Sequence, residues 1–299
     1  MAAKRLERSQ TISGWLMAAP ALIHLFLFAL FPIGVTLLLS FFDWNLLKGS
    51  RPFVGLENYQ RVFANEGFWK AMGNSGIYTL FSVPLGMALA LIIALMLAKW
   101  IKAAPFFRTL YYLPAISSQV AIAMVWIYVY LPERGLINSS LALVGLPSNT
   151  DFLNQMGWAM AALVFMSIWT GLGPKVVLFG AGLLNIPEPL YEAAELDGAS
   201  DRTVFWKITL PLLAPTTLFV MVTSVLGAMQ LFTPVYLMTK GGPLDSTSMA
   251  GYFIYSEAWV SFRLGIASAQ SVLLFAVLMA VSVIQWKMMN RRIDGWGNG

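Results

Sequence analysis

Six apolar stretches, each long enough to cross a bilayer as a helix, dominate this 299-residue chain: Ile12 to Phe42, Met72 to Ala98, Thr109 to Leu131, Met156 to Leu184, Leu212 to Thr239 and Ala267 to Trp286. About 20 apolar residues span the hydrocarbon layer, and a lone segment there satisfies its backbone only as a helix. The pattern predicts an all-α polytopic membrane protein with six transmembrane helices. With 58% hydrophobic and 11% charged residues, too little polar surface remains to solvate a globule. The first run exceeds both a signal-peptide core and the length of one span. A tilt, or a break near Pro20 or Pro32, is expected to absorb the excess.

The formal charge of +5 is not gathered into a Lys/Arg block, so the basic residues are read as topology signals and nucleic acid is not expected as a partner. With the N-terminus inside, the inner segments carry Lys4, Arg5, Arg8, Lys99, Lys102, Arg108, Arg202, Lys207, Lys287, Arg291 and Arg292. The outer loops hold Lys48, Arg51, Arg61, Lys70, Arg134, Lys240 and Arg263. The density bias is roughly twofold and places both termini in the cytoplasm. No cysteine and one histidine, His24, argue against a thiolate metal site, a zinc centre or a Ser/His dyad. No GxxxxGK[ST] segment occurs, so the chain is not expected to bind ATP. The acidic residues fall in loops and tails, whereas an ion-coupled transporter needs carboxylates within its spans.

Between the fourth and fifth runs lies a polar island, Asn185 to Pro211. Pro187 and Pro189 open a short helix, and Glu188 and Glu192 near its start suit the helix dipole. Gly198 is the residue best able to take the left-handed turn that ends it. Ser200 can cap a second helix, with Val204, Phe205 and Ile208 on one face, which Pro211 is expected to close. The acids Glu188, Glu192, Glu195, Asp197 and Asp201 face only the bases Arg202 and Lys207. A helix, turn and helix knuckle of this kind suits a cleft on a soluble partner, although an acidic connector can also be merely solvated.

The spacing of Glu192-Ala193-Ala194, Asp197-Gly198-Ala199, Phe205, Ile208, Pro211 and Pro215, preceded by Ile186-Pro187, resembles the EAA loop of binding-protein-dependent ABC importer permeases. Pro32, Val54-Gly55-Leu56, Asn58-Tyr59, Pro114, Gly135-Leu136-Ile137-Asn138, Trp169, Gly241-Gly242-Pro243 and Tyr255 extend the resemblance to the carbohydrate-uptake, maltose-type branch, and to its first permease. The resemblance implies a type I ABC importer permease fold, one transmembrane domain over residues 1–299, and a coupling loop at 185–211. Glu192, Ala193, Ala194, Asp197, Gly198, Ala199, Phe205, Ile208 and Pro211 would meet the ATPase. It also implies a second permease, two ATPase subunits and an extracytoplasmic solute-binding protein in a prokaryotic inner membrane. Transport rather than catalysis follows, with no cofactor. The implied solute is a carbohydrate, a di- or oligosaccharide, with a glycerol-phosphate-type permease as the alternative.

Polar residues within spans mark the expected solute path, because lipid makes them costly unless they face protein or water. In the fifth run Thr223, Gly227, Gln230 and Pro234 recur at helical spacing, with Thr233 beside them. Packing through small residues would also explain Thr223 and Gly227. The resemblance favours sugar contacts at Gln230 and Thr233. In the fourth run, Gly173-Pro174 is expected to loosen the helix, next to Gly171, and Trp169 offers a ring on which a sugar can stack. Lys175 lies roughly 13 Å from the cytoplasmic end of that run. Two readings stay open for it: a structural lysine that snorkels or pairs with another subunit's acid, or a hydrogen-bond donor in the cavity that would favour an anionic or acceptor-rich solute.

Overall fold

The computed structural model describes residues 2–49, 51–99 and 104–297. Lys102, one of the orientation residues, lies outside them. Among the described residues the chain is helical, with two isolated β-bridges and no extended strand. Four helices are long and apolar enough to cross a membrane: α1 over Gly14–Leu39, α2 over Glu66–Lys99, α5 over Trp158–Leu184 and α9 over Leu264–Gly297. Two bent pairs, each counted as one span, bring the total up to six: α3 (Ala104–Ile116) with α4 (Gln119–Val129), and α7 (Asp201–Leu212) with α8 (Ala214–Met229). The short helix α6, Glu188–Leu196, stands between α5 and α7.

The prolines decide where the spans depart from straight helices. In α1 the chain passes Pro20 unbroken and forms a π turn at Phe26–Leu30, in which the Phe31 N–H reaches the Phe26 carbonyl just before Pro32. The third run is not one straight span. Its halves meet at 104° around Ser117 and Ser118, where Ser118 leaves helical geometry at ψ 126.

The fifth run departs further from the expected single helix. Pro211 does not close the second coupling helix. A π turn at Phe205–Thr209 carries the chain through it, with Leu210 donating to the Phe205 carbonyl. The bend, 65°, falls at Leu213, between two prolines that donate nothing to the backbone ladder. Helix α8 then ends at Met229, and a second π turn forms at Val235–Thr239. The chain leaves helical geometry at Leu231 and Phe232 and resumes it at Thr233 and Pro234, so the break separates Gln230, at the end of α8, from Thr233.

The described residues group into two compact units, Met1–Asn65 with Ile254–Phe275, and Glu66–Phe253 with Ala276–Gly299. In the larger, α2 and α5 pack along each other. Its core takes Tyr78 and Val83 from α2, Ile122 and Trp126 from α4, Leu163, Met166 and Ile168 from α5, and Ala228 from α8. In lipid such packing is held by close contact more than by exclusion of water, so small residues matter. A Cβ on Gly173 would stand 2.3 Å from the Tyr111 carbonyl oxygen and 2.7 Å from the Tyr112 Cα. Gly173 thus lets α3 cross α5 backbone to backbone. Helix α5 runs continuously through Gly173 and Pro174, so the expected loosening is confined to the one carbonyl that Pro174 leaves without a backbone donor. The loop after α8 is tied to α2: Lys70 Nζ donates to the Leu244 carbonyl at 2.7 Å, and Asn74 Nδ2 donates to Asp245 and Ser248 carbonyls at 2.8 and 2.9 Å.

In the smaller unit the buried Asn58 donates through Nδ2 to the carbonyls of Ser40 and Phe42, each at 2.9 Å. Gly265 is required beside it, because a Cβ there would overlap the Phe42 oxygen at 2.0 Å. Arg263 pairs through Nε with Glu257 at 3.0 Å. Burial raises the Glu257 carboxyl from its ordinary value of 4.5, and the neighbouring Arg263 opposes that rise.

Candidate functional site

Two features within the larger unit are candidate functional sites. The first is the polar connector between α5 and α7. Helix α6 ends on Asp197 and turns at Gly198, whose φ of +67° is left-handed. Gly198 N–H donates to the Glu195 carbonyl at 3.0 Å, and Ala199 N–H donates to the Ala194 carbonyl at 2.9 Å. This pair of bonds is a Schellman turn, which satisfies carbonyls that the helix end would otherwise leave open. Ser200 caps the next helix, its Oγ accepting from the Thr203 N–H at 3.4 Å and lying 2.9 Å from Thr203 Oγ1.

The acids Glu188, Glu192, Glu195, Asp197 and Asp201 are all exposed, as is Ala193, while Ala194 is buried against the protein. Phe205, Ile208 and Pro211 are half-buried and anchor the second helix. The turn also holds Leu196 outward at 89% exposure, with Trp206 exposed nearby in the sequence. One tie was not legible beforehand: the Tyr191 hydroxyl lies 3.2 Å from Thr209 Oγ1 and joins the two helices of the knuckle.

The second feature is a cavity of about 250 Å³ enclosed by α2, α4, α5, α8 and the segment after α8. Hydroxyls of Tyr78, Ser82, Ser167, Thr170 and Ser224 line it, together with the Gln119 amide, Gly171, Gly227, Pro234 and the Lys175 ammonium. Apolar walls come from Val83, Ile122, Met166, Ala228 and Leu231. Thr170 Oγ1 donates to the Met166 carbonyl at 2.9 Å. Pro174, which has no N–H, leaves the Thr170 carbonyl without its usual helix donor. Tyr78 lies among the Ser82 and Ser167 hydroxyls, yet the Ser82 Oγ, in a residue only 6% exposed, completes no hydrogen bond of good geometry.

Of the expected path residues, the structure brings Gly171 and Lys175 to this cavity and leaves Trp169, Gln230 and Thr233 outside its lining. Trp169 packs edge-on against Trp126 at 5.6 Å between centroids and is 43% exposed. Gln230 is exposed at the end of α8, and Thr233 is half-buried at the start of the helical stretch that follows Leu231 and Phe232. Tyr78, Ser82, Gln119, Ser167, Thr170 and Ser224 were not singled out by the sequence. Their signal, hydroxyls recurring every three or four residues in α2 and α5, was present but indistinguishable from helix packing.

Residues 82–295 match the family described as binding-protein-dependent transport system inner membrane component. YesP of Bacillus subtilis, named a probable ABC transporter permease protein, is 33% identical over 96% of this chain and 93% of its own length. MsmF of Streptococcus mutans, a multiple sugar-binding transport system permease protein, is 31% identical over 93% of this chain and 95% of its own. UgpA of Agrobacterium fabrum, an sn-glycerol-3-phosphate transport system permease protein, is 30% identical over 93% and 95%. A chain of a bacterial ABC transporter involved in the import of the acidic polysaccharide alginate superposes with a TM-score of 0.80 at 24% identity, covering 97% of this chain and 98% of that one. That superposition shows the fold. The chain therefore belongs to the family of binding-protein-dependent transport system inner membrane components and has the type I ABC importer permease fold.

Proposed function

We propose that this protein is one of two permeases in an ATP-driven importer for a carbohydrate, a di- or oligosaccharide delivered by a solute-binding protein, and that it performs no catalysis itself. The observation that carries the reading is the Schellman-turned knuckle, which fixes five exposed acids and an outward Leu196 on the connector leading out of α5. A separate ATPase subunit would take this knuckle in a cleft, with Glu192, Ala193, Ala194, Asp197, Gly198, Ala199, Phe205, Ile208 and Pro211 forming or bracing the contact. Both termini and the knuckle then lie on the cytoplasmic side, as the Lys/Arg bias indicates, and residues 1–299 act as one permease domain.

The solute path runs through the hydroxyl-lined cavity, with Gly171 and Lys175 at its wall. Trp169, Gln230 and Thr233 join it where the second permease closes over their surfaces. Membership of a family that includes permeases named for sugars supports a carbohydrate cargo, as does the count of hydroxyls that can exchange hydrogen bonds with a polyol. Co-purification of the ATPase and solute-binding protein with this chain, followed by ATP-dependent sugar uptake in vesicles, tests the reading. Uptake driven by an ion gradient without ATP would overturn it.

A further inference from the structure

Lys175 sits about nine residues, roughly 13 Å, from the knuckle end of α5. A lysine that snorkelled would reach toward that end and the interface. Its ammonium goes the other way. A Cβ built on Gly171, one turn back along the same helix, would stand 3.0 Å from Nζ, and one on Gly86 of α2 would stand 3.4 Å from it. Two positions without side chains thus make the niche in which Nζ rests at the cavity wall. No carboxylate lines the cavity, and among the described residues Lys175 makes no ion pair or hydrogen bond. Lys175 is half-buried, and a partly desolvated cation without a counter-charge is costly to keep. In the same cavity the buried Ser82 Oγ, beside Tyr78, completes no hydrogen bond of good geometry. A cation and an unused hydroxyl on one polar wall form an incomplete site.

We propose that the solute carried through this cavity is anionic, a polyhydroxylated molecule bearing a carboxylate or phosphate group, and that Lys175 determines this specificity by supplying its counter-charge. The inference rests on the solute path proposed above. The ammonium pairs with the anionic group as it arrives, and Ser82, Thr170 and their neighbours take the sugar hydroxyls. Charge-assisted hydrogen bonds of this kind change affinity by roughly tenfold or more.

The test uses the complete transporter, with its partner permease, ATPase and solute-binding protein, reconstituted into vesicles. Three labelled probe sets are offered with ATP: uronic-acid oligosaccharides of two to four residues, hexose phosphates, and neutral oligosaccharides of the same lengths. Uptake of one anionic set should exceed the neutral set at least tenfold, and the set preferred identifies carboxylate or phosphate as the source of charge. Lys175→Met should lower that uptake at least tenfold while the ATPase and partner permease still co-purify, and Lys175→Arg should retain most of it.

Neutral uptake equal to or above anionic uptake in the wild type overturns the inference and leaves the importer reading standing. So does a Lys175→Met variant that keeps anionic uptake, or one whose only defect is lost assembly with the partner permease. Uptake of none of the three sets also overturns it. The importer reading falls as well only when the ATPase fails to co-purify.

Discussion

The Lys175 ammonium lies back over Gly171, so that a Cβ at that glycine would be 3.0 Å from Nζ. The absent side chain and the cation share one volume, and enlarging the first must move the second. Gly171→Ala should be tolerated, because the far end of a lysine can shift by a few tenths of an ångström. Gly171→Leu should displace the ammonium and occupy the cavity, lowering solute uptake at least tenfold while ATPase co-purification persists. Uptake assays beside a pull-down of the ATPase check both halves.

Gly173, two residues on, faces backbone instead of a flexible chain end. Gly173→Ala should destabilise the α3–α5 crossing by about 1–3 kcal/mol, the range for overpacking, because the Tyr111 carbonyl and Tyr112 Cα cannot withdraw cheaply. Gly76→Ala in α2, where a Cβ meets nothing within 4 Å, is the matched control and should be neutral or stabilising by roughly 0.5–1 kcal/mol. Thermal melting of the purified transporter in detergent separates the two.

At the knuckle, Gly198 has open space around its Cβ position, so a substitution there costs through conformation alone. Gly198→Val should disfavour the left-handed turn by about 1–2 kcal/mol, lose the Schellman bonds and abolish coupled uptake in a protein that still inserts. Replacing Glu192 and Asp197 together by Lys should leave the turn intact and weaken ATPase association. Co-purification of the ATPase and coupling ratios in vesicles distinguish a bent knuckle from one that is intact but wrongly charged.

Within the solute path, Ser224 lines the cavity and Gln230 does not. Ser224→Ala should raise the solute concentration for half-maximal uptake by up to roughly tenfold, the loss of one neutral hydrogen bond. Gln230→Ala should raise it less. Initial uptake rates over a range of solute concentrations provide the comparison.

The Glu257 carboxyl titrates above its ordinary 4.5 because burial disfavours its charge more than Arg263 restores it. Between 4.5 and the raised folded value, the folded protein therefore holds a proton that the unfolded chain has released. Stability must fall as pH rises through that window and level off above it. Glu257→Gln should remove this slope from the melting temperature measured against pH. The ion pair with Arg263, half exposed on the arginine side, is worth at most about 1 kcal/mol, so its loss should not mask the effect.

Much of this was legible in order along the chain. Lipid leaves the backbone so few options that the six apolar runs became four long helices and two bent helix pairs, and Gly198 with Ser200 marked the turn and cap at their positions because both are local devices needing only neighbouring atoms. Prolines marked trouble, but their outcomes depended on packing: α5 runs straight through Pro174, α1 and α7 meet theirs with π turns, and the third run bends by 104°. The cavity was the least legible part. Its hydroxyls come from three helices far apart in sequence, each with a motif no different from small-residue packing. The helical stripe through Gln230 and Thr233 is interrupted at Leu231 and Phe232, where the chain leaves helical geometry between α8 and Thr233. Lys175 stood out in the sequence as a cation too deep in a span. Which way it turns was decided only by the two glycines, Gly171 in its own helix and Gly86 in another, whose missing side chains leave room for the ammonium at the cavity wall.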